Sequence, residues 1–150
     1  MIYWFIGQPG CGKTTLARRL KKHFDANGNP SIHLDGDDLR KIFGNAYAKE
    51  NFTKEYRTEQ TRALQRFVAH VADQGIDVII STVNPYREVR EEFKKSQKKM
   101  REIHVSTSDI RGRESFHVKD FEEPVTNYIA IVTGGGLSEE QAFNNLYHYL

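Results

Sequence analysis

The feature that most limits the fold of this sequence is a glycine-rich octapeptide between an apolar run and an amphipathic run. Residues 7–14 read Gly-Gln-Pro-Gly-Cys-Gly-Lys-Thr, which matches the pattern G-x-x-x-x-G-K-[ST] in full. The apolar residues 2–6 before it predict a strand. Leu16, Leu20 and Phe24 after it repeat at the four-residue spacing of a helix. A strand, a loop of this kind and a helix in succession indicate an α/β fold built around a phosphate-binding loop.

Short apolar runs continue to alternate with longer amphipathic segments along the rest of the chain. Apolar runs of this nearly continuous kind are typical of a parallel sheet that helices cover on both faces. We therefore expect one α/β domain over residues 1–150, a P-loop NTPase-type sheet with right-handed crossovers. The predicted strands span residues 2–6, 31–34, 76–81, 103–106 and 128–132.

The last predicted helix has a clear start signal. Ser138 is followed three residues later by Gln141, the spacing of a capping box. The side chains expected to point inward from this helix are Ala142, Phe143, Leu146 and Leu150.

Composition excludes several classes of protein. The single cysteine, Cys11, leaves no disulfide within the chain. No apolar run approaches the roughly 20 residues that cross a bilayer, and no signal-peptide pattern is visible. Residues 94–101 hold five basic side chains, which form either a solvated helix face or a phosphate-binding patch. We expect a cytoplasmic protein without membrane contact, and the sequence leaves its oligomeric state open.

The glycine-rich loop predicts how a nucleotide would bind. Its glycines let backbone N–H groups turn toward a phosphate at the start of a helix. Lys13 should bridge the β- and γ-phosphates of ATP and face solvent in the empty site, while the Thr14 hydroxyl ligates Mg²⁺. Cys11 occupies a position that needs a small side chain. The predicted nucleotide-binding residues are Gly7, Gly10, Cys11, Gly12, Lys13, Thr14 and Thr15.

An acidic pair follows the second predicted strand. Asp35 and Asp37 should face the glycine-rich loop, because the carboxyl ends of parallel strands meet at one edge of the sheet. One carboxylate can hold the magnesium, for which we name Asp35 with Thr14, and another can take the proton from an attacking hydroxyl. Which of the two is the base stays open. A helix cap with an acidic first turn would place the same residues there without a catalytic role.

The sequence resembles the adenylylsulfate (APS) kinases over most of its length. Residues 35–40 match that family's Asp-Gly-Asp-Asn-x-Arg box, and residues 52–62 are similar to its Phe-Ser…Asp-Arg-x-Glu-Asn-x-Arg segment. Residues 83–87 resemble its Ile-Ser-Pro-Tyr-Arg segment, and residues 116–124 its Phe-Thr-Gly…Pro-Tyr-Glu run. The resemblance implies a kinase that transfers the γ-phosphate of MgATP to the 3′-hydroxyl of adenylylsulfate.

The resemblance also implies acceptor-binding residues at the matching positions. In that family two phenylalanines sandwich the adenine of the acceptor, and arginines with an asparagine hold its sulfate and phosphate. Ordinary core packing is the alternative for both aromatic residues. The acceptor-binding residues implied here are Arg40, Phe52, Arg57, Gln60, Asn84, Pro85 and Phe116.

Several positions depart from the family pattern. The family's Asp, Asn and Ser are Tyr56, Gln60 and Asn84 here, and its Lys-Gly-Leu-Tyr lid stretch is replaced by the short residues 108–113. Residues 84–87 also resemble the Asn-Pro-Glu-Arg run of polynucleotide 5′-hydroxyl kinases. A kinase of a hydroxyl on DNA, RNA or a modified nucleotide is therefore the alternative, and a slowly ATP-hydrolysing switch is a rival from another class.

Cations for the transition state are expected from the shortened lid. Arg111 and Arg113 flank Gly112 in this segment and are the candidate catalytic arginines, with a polar surface loop as the alternative. The glycines at 134–136 predict that the adenine of ATP rests beside them. The six histidines show no metal-ligand spacing, so metal dependence should come only from the magnesium that accompanies ATP.

Overall fold

The computed structural model describes residues 1–44 and 53–150 of the chain. The strands are β1 (Ile2–Ile6), β2 (Ser31–Asp35), β3 (Asp77–Ser81), β4 (Met100–Thr107) and β5 (Tyr128–Thr133). The helices are α1 (Lys13–Ala26), α2 (Gly36–Phe43), α3 (Lys54–Asp73), α4 (Arg87–Ser96) and α5 (Glu139–Tyr147), with a 3₁₀ turn at Glu114–Phe116. Within the described ranges, no helix is long and apolar enough to cross a membrane.

The five strands form one parallel sheet in the order β2-β3-β1-β4-β5, which confirms the predicted fold class. Side chains alternate along β1, so that Tyr3 and Phe5 enter one core and Ile2, Trp4 and Ile6 enter the other. Helices α1 and α5 cover the first core, and α2, α3 and α4 cover the second. All five strands end at the same edge of the sheet, where the segments that follow them meet.

Strand β4 begins at Met100, three residues before the predicted start. The difference arises because Glu102 looks like a loop residue in the sequence but is fully buried in the sheet. Its carboxylate lies 2.7 Å from the guanidinium of Arg90 on α4, and neither side chain is exposed. A buried carboxylate needs such a partner, and the partner comes from a different element.

Helix α5 begins as predicted, because both hydrogen bonds of the Ser138–Gln141 capping box are formed. Ala142 and Leu146 are buried against α1 and the sheet. The prediction that Leu150 points inward is wrong. The helix ends at Tyr147, and Leu150 lies beyond it with 36% of its surface exposed.

The basic residues at 94–101 lie at the amino edge of the sheet, opposite the edge that carries the glycine-rich loop. The backbone N–H of Ile2, at the start of β1, donates to the carbonyl of Lys99. Lys94 departs from the expected solvated face, because its ammonium pairs with Glu91 and Glu102 and its side chain is only 10% exposed. The remaining basic side chains of this segment, at 95, 98, 99 and 101, are exposed.

Candidate active site

The glycine-rich loop wraps tightly between β1 and α1. Gly7 has φ 138°, and a methyl group there would lie 2.2 Å from the carbonyl oxygen of Val105 on the neighbouring strand. Only glycine fits that approach. Helix α1 then begins after Gly12 with no side-chain cap and no acidic residue in its first turn. Its first N–H groups therefore lack the side-chain partners that cap α2, α3 and α5, as an anion site at a helix start requires.

Lys13 does not face solvent, so that prediction is wrong. Its side chain folds back over the loop, where its ammonium donates to the carbonyl oxygen of Gln8 at 2.8 Å, and the residue is only 8% exposed. Burial lowers the pKa of Lys13, an effect that the nearby Cys11 and Asp35 oppose. Cys11 is buried, as expected of a small space-filling residue.

Asp35 is the centre of a hydrogen-bond network at the end of β2. Its Oδ2 accepts from the Thr14 hydroxyl at 2.6 Å and from the Ser81 hydroxyl at 2.7 Å. Its Oδ1 accepts from the backbone N–H of Asp37 at 2.9 Å, so Asp35 is also the N-cap of α2. Nε2 of His33 lies 2.8 Å from Ser81 Oγ. Because the Ser81 proton goes to Asp35, the histidine is the donor in that contact.

Asp37 differs from Asp35 in exposure and in partners. It lies in the first turn of α2 with 63% of its side chain exposed, and it forms an ion pair with Arg40 one turn later. Both residues line a large cavity beyond the carboxyl edge of the sheet. The acidic pair therefore consists of one buried carboxylate with three donors and one accessible carboxylate that faces the cavity.

The cavity has a volume of about 560 Å³ and reaches from the glycine-rich loop to α3. Lys13, Thr14 and Asp35 line one end. Six of the seven predicted acceptor-binding residues line it as well, namely Arg40, Arg57, Gln60, Asn84, Pro85 and Phe116. The seventh, Phe52, lies outside the described residues.

Phe116 belongs to the cavity and not to the core. It is 58% exposed, and the guanidinium carbon of Arg113 lies 5.7 Å from the centre of its ring. The packing alternative for this aromatic residue is therefore wrong. An exposed ring backed by a cation offers a face on which a base can stack.

The two arginines of the shortened lid occupy different places. Arg113 lines the large cavity and packs against the glycine-rich loop, where a methyl group at Gly10 would come within 3.2 Å of its Cβ. Arg111 lies on the other side of the loop, where it donates to the carbonyl of Gly10 at 3.3 Å and to the Thr133 hydroxyl at 3.2 Å.

A second, smaller cavity of about 70 Å³ lies beside Arg111. Its lining includes Gly12, Thr15 and Gly134, the first of the three glycines after β5. The loop that holds Gly134 is tied to the lid, because the backbone N–H of Gly135 donates to Asp109 at 2.9 Å.

The buried contacts that support Asn84 and Pro85 in the cavity wall were not predicted from the sequence. Asn84 is buried with φ 45°, a left-handed conformation that asparagine tolerates better than most residues. Its carbonyl oxygen accepts from Arg90 at 2.7 Å, and Arg90 also donates to the carbonyl of Glu122 at 2.5 Å. No local pattern marks Arg90, Ser81 or His33, because each acts on a residue distant in the sequence. Among the described residues, no group of histidine, cysteine and carboxylate side chains could hold a metal ion by itself.

Comparison with known proteins finds similar sequences. The family model for adenylylsulphate kinase matches residues 1–123. The adenylyl-sulfate kinase of Chloroflexus aurantiacus is 36% identical over 106 residues, which cover 70% of this chain and 55% of that protein. The chain thus spans about half the length of that relative. The cytidine diphosphoramidate kinase of Campylobacter jejuni is 27% identical over 134 residues, covering 87% of this chain and 76% of that protein.

Solved structures agree in fold. The Mycobacterium tuberculosis APS kinase CysC in complex with AMPPNP and APS superposes with a TM-score of 0.79 at 21% identity. The match covers 97% of this chain and 95% of that one. At this identity the likeness supports the fold alone.

Proposed function

The chain belongs to the adenylylsulphate kinase family, and we propose that it transfers the γ-phosphate of ATP to the 3′-hydroxyl of adenylylsulfate. One observation carries the proposal. A single cavity joins the phosphate-loop residues Lys13 and Thr14 and the carboxylate Asp35 at one end to the matched acceptor residues at the other. Direct transfer between two bound substrates needs such a continuous space, because the hydroxyl must reach the phosphorus in line.

The residues at the loop end fit ATP and Mg²⁺. When bound, MgATP supplies the phosphoryl group and the metal charge that offsets the charge of the phosphates. Thr14 and Asp35 offer only oxygen atoms, the donors that Mg²⁺ prefers. The uncapped start of α1 can hold phosphate oxygens through its N–H groups, and Lys13 can turn from the Gln8 carbonyl to the same anion.

The acidic pair divides its roles. Asp35 accepts hydrogen bonds from the Thr14 hydroxyl, the Ser81 hydroxyl and the backbone N–H of Asp37, and these bonds fix its carboxylate beside Thr14. We therefore assign Asp35 to the magnesium shell. Asp37 faces the cavity and pairs with Arg40, so we assign it as the general base for the acceptor hydroxyl.

The arginines divide their roles in the same way. Arg113 lies between the glycine-rich loop and the large cavity, so we assign it to the transferring phosphoryl group. Arg111 lies beside the small cavity and the loop after β5, so we assign it to the base of ATP.

A second acceptor class is favoured by a specific observation. The cytidine diphosphoramidate kinase of C. jejuni aligns with more of this chain than the C. aurantiacus relative does, and the chain spans more of its length. The departures at Tyr56, Gln60 and Asn84 also fall on cavity-lining positions. Cytidine diphosphoramidate is therefore the second candidate acceptor, and a hydroxyl on a nucleic acid is the third.

The proposal is tested by a phosphate-transfer assay with all three acceptors side by side. Labelled ATP is offered with adenylylsulfate, cytidine diphosphoramidate or an oligonucleotide with a free 5′-hydroxyl, at several salt concentrations. We expect labelled product with adenylylsulfate and a modest dependence on salt. Lys13→Ala should abolish transfer, while Lys95→Ala, on the exposed face of α4, should leave it unchanged.

Each contrary outcome has a definite meaning. Transfer to cytidine diphosphoramidate alone would replace the acceptor and keep the chemistry. Transfer to the oligonucleotide alone, with binding that collapses between low and physiological salt, would overturn the small-acceptor assignment. Transfer to none of the acceptors would remove the kinase proposal, and near-normal transfer by Lys13→Ala would remove the role assigned to Lys13.

A further inference from the structure

Gln8, the second residue of the glycine-rich loop, makes a double contact that no part of the loop motif requires. Its side-chain N–H donates to the carbonyl of Val118 at 2.9 Å, and the backbone N–H of Val118 donates to its Oε1 at 2.8 Å. One carboxamide thus satisfies both backbone groups of a residue 110 positions away. Apart from glutamine and asparagine, few side chains both donate and accept from one planar group.

Val118 belongs to the wall of the large cavity. It lies two residues after Phe116, and both residues line that cavity with Arg113. Within the described ranges, the backbone hydrogen bonds of residues 113–117 join these residues to one another, and the Glu114 carboxylate accepts from the backbone N–H of Arg111. The Gln8 contact is therefore a direct polar bridge between this short stretch and the glycine-rich loop, in addition to the bond from Arg111 to the Gly10 carbonyl.

Gln8 also contacts Lys13, at the end of the cavity where ATP is proposed to bind. Its backbone carbonyl accepts from the ammonium of Lys13 at 2.8 Å. Without nucleotide, one residue thus holds Lys13 through its main chain and the acceptor wall through its side chain.

We propose that Gln8 is a positioning residue that fixes the acceptor wall, residues 113–118, to the phosphate loop. The inference rests on the proposed function for its kinetic consequence, but its structural part stands without it. The acceptor must be held against the wall and the phosphoryl group against the loop, so the distance between the two partners depends on this bridge. Without it, binding of the acceptor must also order the wall, which weakens acceptor binding and leaves the nucleotide site intact.

Gln8→Met tests the proposal, because methionine keeps the length of the side chain and removes both hydrogen bonds. Two hydrogen bonds of ordinary strength correspond to about a 5- to 140-fold rise in the KM for the acceptor. The affinity for ADP and the kcat should change by less than about threefold. The matched control is Gln74→Met, at the exposed end of α3, which should change neither constant.

A second measurement needs no turnover. Hydrogen exchange of the Val118 amide should be slow in the wild-type protein and faster in Gln8→Met, with faster exchange across residues 113–118. Trp4, the single tryptophan, also lines the cavity, so its fluorescence reports acceptor binding directly.

The outcomes separate this inference from the proposed function. If no acceptor is phosphorylated by the wild-type protein, the function fails, while exchange at residues 113–118 still decides the bridge. Unchanged exchange in Gln8→Met would overturn the inference even in an active kinase. Equal losses of ADP affinity and acceptor affinity would also overturn it, because Gln8 would then serve the phosphate loop alone.

Discussion

Replacement of Arg90 by methionine should be among the most damaging single changes outside the catalytic residues. The Arg90 side chain has no exposed surface, and its Nε lies 2.7 Å from a carboxylate oxygen of the equally buried Glu102. It also donates to the carbonyls of Asn84 and Glu122. The Arg90 side chain therefore joins α4 to β4, to Asn84 in the cavity wall and to Glu122 in the segment before β5.

The expected loss follows from these contacts. Removal of one partner of a buried ion pair costs about 3–5 kcal/mol, because the other charge stays buried. Lys94 also contacts Glu102 and limits that loss, whereas the two carbonyls left without their donor add to it. Methionine fills most of the vacated space, so a large cavity term is absent. We expect a decrease of about 3–5 kcal/mol in the free energy of unfolding.

The chain contains a matched control for this substitution. Arg62 on α3 pairs with Glu92 on α4 at 3.0 Å, but the two side chains are 38% and 48% exposed. Arg62→Met removes the same chemical group from a solvated ion pair and should cost no more than about 1 kcal/mol.

Urea unfolding followed by circular dichroism measures both variants, and the slope of each transition checks that the denatured states are comparable. At about 2–4 °C per kcal/mol, the melting temperature of Arg90→Met should fall by roughly 6–20 °C. If the two variants differ by less than about 1 kcal/mol, the buried network does not support the fold and the reasoning is wrong.

Two further predictions concern the site itself. Asp37→Asn should lower kcat by about 10²–10⁴, the usual contribution of a general base; a fall in magnesium affinity with kcat preserved at saturating metal would transfer the role to Asp35. Lys13→Met should raise the melting temperature of the nucleotide-free protein at pH 7. Burial lowers the pKa of Lys13 in the folded protein below its usual 10.5. Between that lowered pKa and 10.5 the unfolded chain binds more protons than the folded protein, so the stability of the wild type rises with pH across this range. The advantage of the variant over wild type should therefore shrink as the pH approaches that value, and a variant less stable than wild type at pH 7, with Lys95→Met as the neutral control, would contradict the assignment.

The strands were predictable because burial on both faces of a parallel sheet leaves a run of apolar residues that can be read locally. The start of β4 is the exception. The first residues of β4 include Arg101 and Glu102, and the burial of Glu102 depends on Arg90, which lies on another element. A pattern of local residues cannot reveal that Glu102 pairs with Arg90, which lies twelve residues earlier on helix α4. The same limit applies to Leu150, because the helix that would turn it inward ends at Tyr147.

The site was predictable where one motif fixes both identity and place. The glycine-rich loop needs its residues in fixed order, so their positions could be named from the sequence alone. The conformation of Lys13 could not, because its burial depends on a contact with a carbonyl that any residue could supply. The contacts of Ser81 with Asp35 and with His33 join β3 to β2, and adjacency of strands is a property of the topology.

The place of the basic residues bears on the acceptor. Exposed Lys98 and Lys99 precede β4 at the amino edge of the sheet, while the glycine-rich loop follows β1 at the carboxyl edge. The five residues of β1 between these edges span roughly 16 Å. A nucleotide that fits a cavity of about 560 Å³ cannot touch both edges, so its binding gains nothing from that patch. Only a strand of nucleic acid laid along the depth of the sheet could use both. A weak dependence of activity on salt therefore argues for the cavity as the whole acceptor site, and a steep one argues for a longer acceptor.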